Sequence, residues 1–241
     1  VSLGPFCKKP LNCVLKGATN NKIDPSVDSI KNGVLPILKK FILVDDGLEF
    51  KIVKRGMPPE GGGEVHFKCP IRKLRPVKIL DPGKVKRIRG TAFALRVSPA
   101  ISNRFGVSLV AETTTGTFYT ADAVSNAKGS GEEPSVPEAV GEEAAYRLLD
   151  EIYRGGCVDS TFQSQAFLYM ALGQKDISKC HTGPLSPYSI HFLRHVRDFL
   201  GLTYKLESYV PPEEEEDLQM GSNKVNVTCI GIGFSNVNVA M

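Results

Sequence analysis

The sequence has no C-x-x-C pair: its six cysteines, Cys7, Cys13, Cys69, Cys157, Cys180 and Cys229, are scattered along the chain. Neither a zinc knuckle nor a disulfide framework has the spacing it needs, and reduced thiols in a cell interior fit best. No apolar run approaches the roughly 18 residues that a membrane helix requires. The opening Val1-Ser2-Leu3-Gly4-Pro5 lacks both the charged and the apolar stretch of a secretory leader, so the chain is read as soluble and not secreted. A strong net charge is lacking too: +4 does not imply nucleic acid by itself. What is left is a globular composition, 41% hydrophobic and 23% charged over 241 residues, enough for one large or two modest domains.

The charge that is present is unevenly placed. Lys84-Val85-Lys86-Arg87-Ile88-Arg89 puts four cations into six residues at the start of a strand-like run. The acidic block 213–217, after Pro211-Pro212, reads as a solvated loop. Residues 11–16 form a short β run, and Asp24-Pro25-Ser26 starts a helix whose apolar positions Val27, Ile30, Val34, Leu35, Leu38 and Phe41 recur at helical spacing, with a bend expected at Pro36. Period-two alternation predicts strands at 48–53 and 64–69, a long strand at 85–97, and a hairpin of 107–112 with 117–121 around Thr115-Gly116. A Gly/Ser/Glu-rich linker at 128–134 precedes helices at 137–154, 160–172 and 187–200; on the first, Ala144, Ala145, Leu148, Leu149 and Ile152 share the apolar face. Strands at 203–209 and 224–232 close the chain. This alternation predicts an α/β (α+β) fold of repeated βαβ-type units, with helices packed on mixed four-stranded sheets and a division into 1–76 and 77–241.

The sharpest segment is Arg55-Gly56-Met57-Pro58-Pro59-Glu60-Gly61-Gly62-Gly63-Glu64-Val65. Without side chains, Gly61, Gly62 and Gly63 let backbone N–H groups turn toward an anion or let another chain segment approach closely. A plain tight loop satisfies the same residues. Arg55 at the loop mouth and the cations Lys84, Lys86, Arg87 and Arg89 favour the anion reading, and with Arg96 they form the candidate RNA-binding set. On an extended strand Lys84 and Lys86 point one way and Arg87 and Arg89 the other. A second cluster lies near the C-terminus, where His191, Arg194, His195 and Asp198 share one helical face with Arg197 beside them. That face is either a solvated exterior, a contact to RNA phosphate, or a source of acid and base groups for backbone cleavage. His66 alternates with Val65 and Phe67 and reads as an ordinary strand histidine.

The eleven-residue glycine segment resembles the Arg-Gly-x-x-Pro-x-Gly-Gly-Gly-x-Val signature of the RNA 3'-terminal phosphate cyclase family. Other stretches agree with the cyclase-like, ribosome-biogenesis branch of that family. They are Asp81-Pro82-Gly83-Lys84 with Arg87-Ile88-Arg89-Gly90, Arg96-Val97-Ser98-Pro99, Leu109-Val110-Ala111-Glu112-Thr113, Glu151 through Thr161, Gly183 through Tyr188, and Gly231-Ile232-Gly233-Phe234-Ser235-Asn236. The resemblance runs nearly end to end. It implies a preceding α/β repeat of roughly a hundred residues, which this chain lacks, and a small inserted domain that is missing here between Arg104 and Phe105.

True cyclases, the resemblance implies, carry a nucleophilic histidine that ATP adenylylates ahead of the last helix. Counting back from Phe199-Leu200 puts that position at Tyr188, and counting forward from Met170-Ala171-Leu172 puts it near Ser186; His181 and His191 are out of register on either side. A phenol or hydroxyl does not form the labile phosphoramidate that hands AMP onward, so adenylyl transfer is expected to be absent. The resemblance therefore implies a non-cyclising factor of the nucleolar small-subunit processome. Such a factor would serve pre-rRNA processing and small-subunit biogenesis by binding RNA and partners, among them a nucleolar GTPase and other processome components, with no cofactor, metal or membrane. The alternative is an endoribonuclease acting on pre-rRNA, with Arg194, His195 and Arg197 as its visible machinery and no carboxylate cluster of metal-ligand spacing beside them. An active ATP-dependent cyclase ranks last.

Overall fold

The computed structural model describes residues 1–58, 61–95, 104–126, 134–210 and 221–236. After a short 3-10 turn at Gly4–Phe6, strand β1 (Leu11–Gly17) leads to a helical segment and then to β2 (Glu49–Lys54) and β3 (Gly63–Cys69). The helical segment begins at Ser26, whose side chain accepts from the Ser29 N–H and so satisfies an orphan donor of the first turn. It is not one regular helix. α1 (Val27–Ser29) passes through a wider π turn (Ile30–Val34) into α2 (Leu35–Phe41), which carries Pro36 in its first turn. A proline there has no N–H to return to the turn before it, so the irregularity falls just ahead of the residue where a bend is expected.

β1, β3 and β2 form an antiparallel sheet with β3 in the middle. Cys13 and Phe50 stand opposite Phe67 on one face, where Phe67 and Cys69 pack on Leu35 of α2. The next sheet is β5 (Val85–Leu95), β6 (Arg104–Thr113) and β7 (Phe118–Val124), again antiparallel and in chain order. Helix α3 (Pro137–Arg154) lies on it through Val140, Ala144 and Leu148, against Ala111, Tyr119, Ala121 and Ala123. Its apolar face is narrower than the periodicity suggests: Ala145 and Leu149 point to solvent, Leu149 being 58% exposed beside Tyr146 and Tyr153.

The third sheet is mixed and four-stranded, in the order β4 (Lys78–Ile79), β8 (Ile177–Thr182), β10 (Val225–Ile230) and β9 (Lys205–Ser208), with β4 parallel to β8. Helices α4 (Gln163–Leu172) and α5 (Pro187–Leu200) contribute Phe167, Met170 and Val196 to the core above it. That core is the largest, and it takes in the π turn and α2 through Val34, Ile37, Leu38 and Phe41, with Phe41 and Tyr169 in ring contact at 5.5 Å. Helices packed on mixed and antiparallel sheets are thus the architecture, in the α/β class that the alternation predicts, but only one of the three sheets is mixed and four-stranded; the other two are three-stranded and antiparallel. β4 and β8 are absent from the sequence expectation. In β8 the polar Ser178 is buried and accepts a hydrogen bond from the Val77 N–H, while the apolar Ile177 is 45% exposed, so no apolar alternation marks the strand. All six cysteines are free, and burial pushes the Cys157 thiol up to about 12. Among the described residues no helix is long and apolar enough to cross a membrane.

Candidate functional site

The glycine segment is closed on itself. The Thr19 N–H donates to the Gly56 carbonyl at 2.7 Å, the Gly56 N–H donates to the Thr19 hydroxyl, and the Gly61 N–H returns to the Met57 carbonyl at 3.0 Å. A Cβ on Gly56 would stand 2.0 Å from the Gly61 carbonyl oxygen, and one on Gly63 would stand 2.6 Å from that of Gly17. Gly56 and Gly63 are therefore glycine because backbone passes backbone there. Gly61 and Gly62 have φ of +68° and +78°, and Gly62 alone faces open space. Pro59 and Glu60 lie outside the described residues.

Arg55, at the mouth of this loop, is committed to a side-chain pair. Its two terminal nitrogens engage both oxygens of Asp28 in the fork geometry that suits guanidinium to carboxylate, and its plane lies 4.6 Å over the Phe93 ring. The Asp28 hydrogen bond, the larger influence, raises the Arg55 pKa against the opposing cost of burial. Phe93 belongs to β5, so the pair pins the first sheet onto the second. A parallel contact is made by Asp122 of β7, whose Oδ2 accepts from the Ser26 hydroxyl at 2.6 Å and from that of Ser29.

The cations of β5 lie at the opposite end of that strand. Arg89 is four residues from Phe93, about 13 Å along an extended chain, so loop and cations occupy separate places. Arg87 and Arg89 share a face and both reach Glu112, at 2.6 and 3.4 Å. A register shift falls between Val85 and Arg87, and the Lys84 backbone is held by Thr114. Lys84 and Lys86 are exposed. Arg96 lies outside the described residues.

Tyr188 is 71% exposed in the first turn of α5, and Ser186 is that helix's N-cap, accepting from the Ser189 N–H. His181 is buried on β8, hydrogen-bonded to Asn226 and edge-on to Tyr209; burial lowers its pKa. His191, Arg194, His195 and Arg197 are all exposed on α5, Arg197 paired with Asp198 at 3.1 Å.

Sequence reasoning passes over one further feature, a polar cleft of about 280 Å³ between the 21–25 loop and the second sheet, lined among others by Asn21, Asp24, Thr120, Asp122, Arg147 and Glu151. Two of its lining residues, Thr120 and Thr161, are held by the fully buried Asp159, which accepts from the Thr120 N–H and hydroxyl and from the Thr161 N–H. Glu151 accepts from the neighbouring Ser160 N–H and hydroxyl. Burial, then the nearby Glu151 charge, push the Asp159 carboxyl up to about 7. Locally the sequence marks it by Asp159 followed by Ser160 and Thr161, a helix-start pattern that ends the family-like stretch from Glu151 to Thr161. Among the described residues no three His, Cys, Asp or Glu side chains gather as a metal ion would need.

The RNA 3'-terminal phosphate cyclase family matches residues 1–206. A probable RNA 3'-terminal phosphate cyclase-like protein of Drosophila melanogaster is 48% identical over 274 residues, covering 99% of this chain and 71% of the relative. The human RNA 3'-terminal phosphate cyclase-like protein is 48% identical over 270 residues, covering 98% and 71%. The rRNA processing protein rcl1 of Schizosaccharomyces pombe is 34% identical over 270 residues, covering 97% and 70%. With most of its length matched and close to half of its residues shared with such relatives, the chain belongs to the RNA 3'-terminal phosphate cyclase family.

Proposed function

We propose that this chain serves rRNA processing as a non-cyclising member of its family, within the nucleolar small-subunit processome, by holding pre-rRNA and partner proteins that include a GTPase. The observation that carries the reading is Tyr188, an exposed phenol in the first turn of α5 at the place where the resemblance implies a nucleophilic histidine. A phenol there offers no phosphoramidate to carry AMP. The similar S. pombe protein is named for rRNA processing. Lys84, just ahead of β5, and Lys86, Arg87 and Arg89 on it are the candidate RNA or partner contacts, all exposed; Gly61, Gly62 and Gly63 are a candidate backbone approach, and Arg55 supports it from within its Asp28 pair. Cleavage of pre-rRNA by this chain is the second reading, supported by the exposure of Arg194, His195 and Arg197 on α5.

The test incubates the full-length protein with labelled ATP, magnesium and a 3'-phosphorylated RNA, and in parallel with an uncleaved pre-rRNA. No protein–AMP adduct and no cyclic end are expected, and cells depleted of the protein should accumulate unprocessed pre-rRNA. An acid-labile adduct lost on His181→Ala or His191→Ala would overturn the non-cyclising reading. Site-specific cutting lost on His195→Ala would replace the binding role with the nuclease one.

A further inference from the structure

The outer face of the β1–β3–β2 sheet has no helix on it among the described residues. Strand pairing, with a register shift between Ile52 and Lys54 that brings Lys54 opposite Glu64, sets which side chains share that face, in three rows across the sheet: Asn12, Lys68 and Glu49; Val14, His66 and Lys51; Lys16, Glu64 and Lys54. Glu64 and His66 are half-buried and the other seven are exposed. Lys68 is paired with Glu49 at 2.7 Å, and Glu64 with His66 at 2.8 Å. Lys16, Lys51 and Lys54 are left without an ion pair among the described residues, and Lys16 and Lys54 flank Glu64 from the two outer strands, two strand spacings or about 10 Å apart.

We propose that this face docks the sugar–phosphate backbone of RNA through Lys16, Lys51 and Lys54, without reading base sequence. The choice of RNA rests on the rRNA-processing reading above; the site itself rests on the register. The phenylalanines of the sheet, Phe50 and Phe67, are on the opposite face, and the one ring on this face, His66, is half-buried and held by Glu64, so stacking of successive bases has little to rest on here. Val14 is the one large apolar side chain in the three rows. A protein partner would find no aromatic or arginine anchor to bury, and lysine is depleted from the cores of protein interfaces. Exposed ammonium groups without an ion pair among the described residues suit phosphates, whose counterions they displace.

The experiment uses the full chain with Lys16, Lys51 and Lys54 all changed to Ala, and a Lys68→Ala control whose lysine is already paired. Binding of a labelled mixed-sequence single-stranded RNA of roughly 15 nucleotides is followed against salt, with thermal melting as the check on folding. The triple variant should melt like the unaltered protein, bind about tenfold or more weakly, and lose about two units of log–log salt slope, at about 0.7 per lost phosphate contact. The control should lose less than half a unit. An unchanged slope and affinity overturn the proposal. Weakened binding of polyglutamate with RNA binding intact also overturns it, and assigns the face to an acidic protein. If the unaltered chain binds no RNA this docking surface falls, while the rRNA-processing reading is judged separately by pre-rRNA accumulation.

Discussion

Gly56 and Gly62 belong to the same short loop but resist substitution for different reasons. A Cβ on Gly56 would meet the Gly61 carbonyl oxygen at 2.0 Å and the Gly63 nitrogen at 2.2 Å, and both obstacles are backbone. Gly56→Ala should therefore cost about 3 kcal/mol, the upper range for overpacking. At Gly62 the space is open and only φ of +78° opposes a side chain, so Gly62→Ala should cost about 1–2 kcal/mol. Urea melts of both variants check the order, and equal losses would mean the loop does not close in this way. Asp159 gives a second prediction. Its folded pKa is raised above the usual unfolded carboxylate value of about 4, so the folded state holds the proton longer. The stability this group contributes is then complete below about pH 4 and declines as pH rises through about 7. Asp159→Asn should flatten that decline between about pH 4 and 7 in thermal melts; an unchanged slope would place the titration elsewhere. The tightness of the glycine loop was legible from consecutive glycines after Pro58-Pro59. The engagement of Arg55 was not, because its partner Asp28 lies 27 residues away on another element and no local spacing encodes that meeting.

Helix α3 separates what periodicity can and cannot say. Its limits, Pro137 and Arg154, follow from the proline in the first turn and from Gly155 after the last. Its rotation about its own axis does not, because Leu148 and Leu149 both fit a broad apolar arc. Only the sheet beneath decides, leaving Leu148 3% and Leu149 58% exposed. Leu148→Ala should cost about 2–4 kcal/mol, and Leu149→Ala should stay within about 0.5 kcal/mol. Comparable losses in denaturant melts would show the helix rolled toward Leu149. β8 is the complementary case: a central strand whose inward Ser178 is satisfied by a backbone donor, so that hydrogen bonding rather than apolar alternation holds it in place.

Across the molecule, one core joins α2, α4 and the mixed sheet, whereas the contact between the first and second sheets is polar, through Arg55–Asp28 and Asp122 with Ser26 and Ser29. The α/β class was legible because each element carries its own period; the order of strands in the mixed sheet was not, since β4 and β8 pair residues about a hundred positions apart. The place of β5 at the margin of its sheet has a consequence for solubility. Its outer row of N–H and C=O groups has no strand paired to it among the described residues, along an 11-residue strand that exposes Val85 and Ile88. Such an edge is a template for another chain, and lysine and arginine are the residues that keep other chains from adding to it. Lys86, Arg87 and Arg89 are therefore gatekeepers against self-association as well as candidate RNA contacts. Replacing all three with Ala should produce concentration-dependent light scattering well below the unfolding temperature, whereas replacing them with Gln and Glu should remove the positive charge without it. A triple alanine variant that stays monodisperse would show that β5 is shielded by other means.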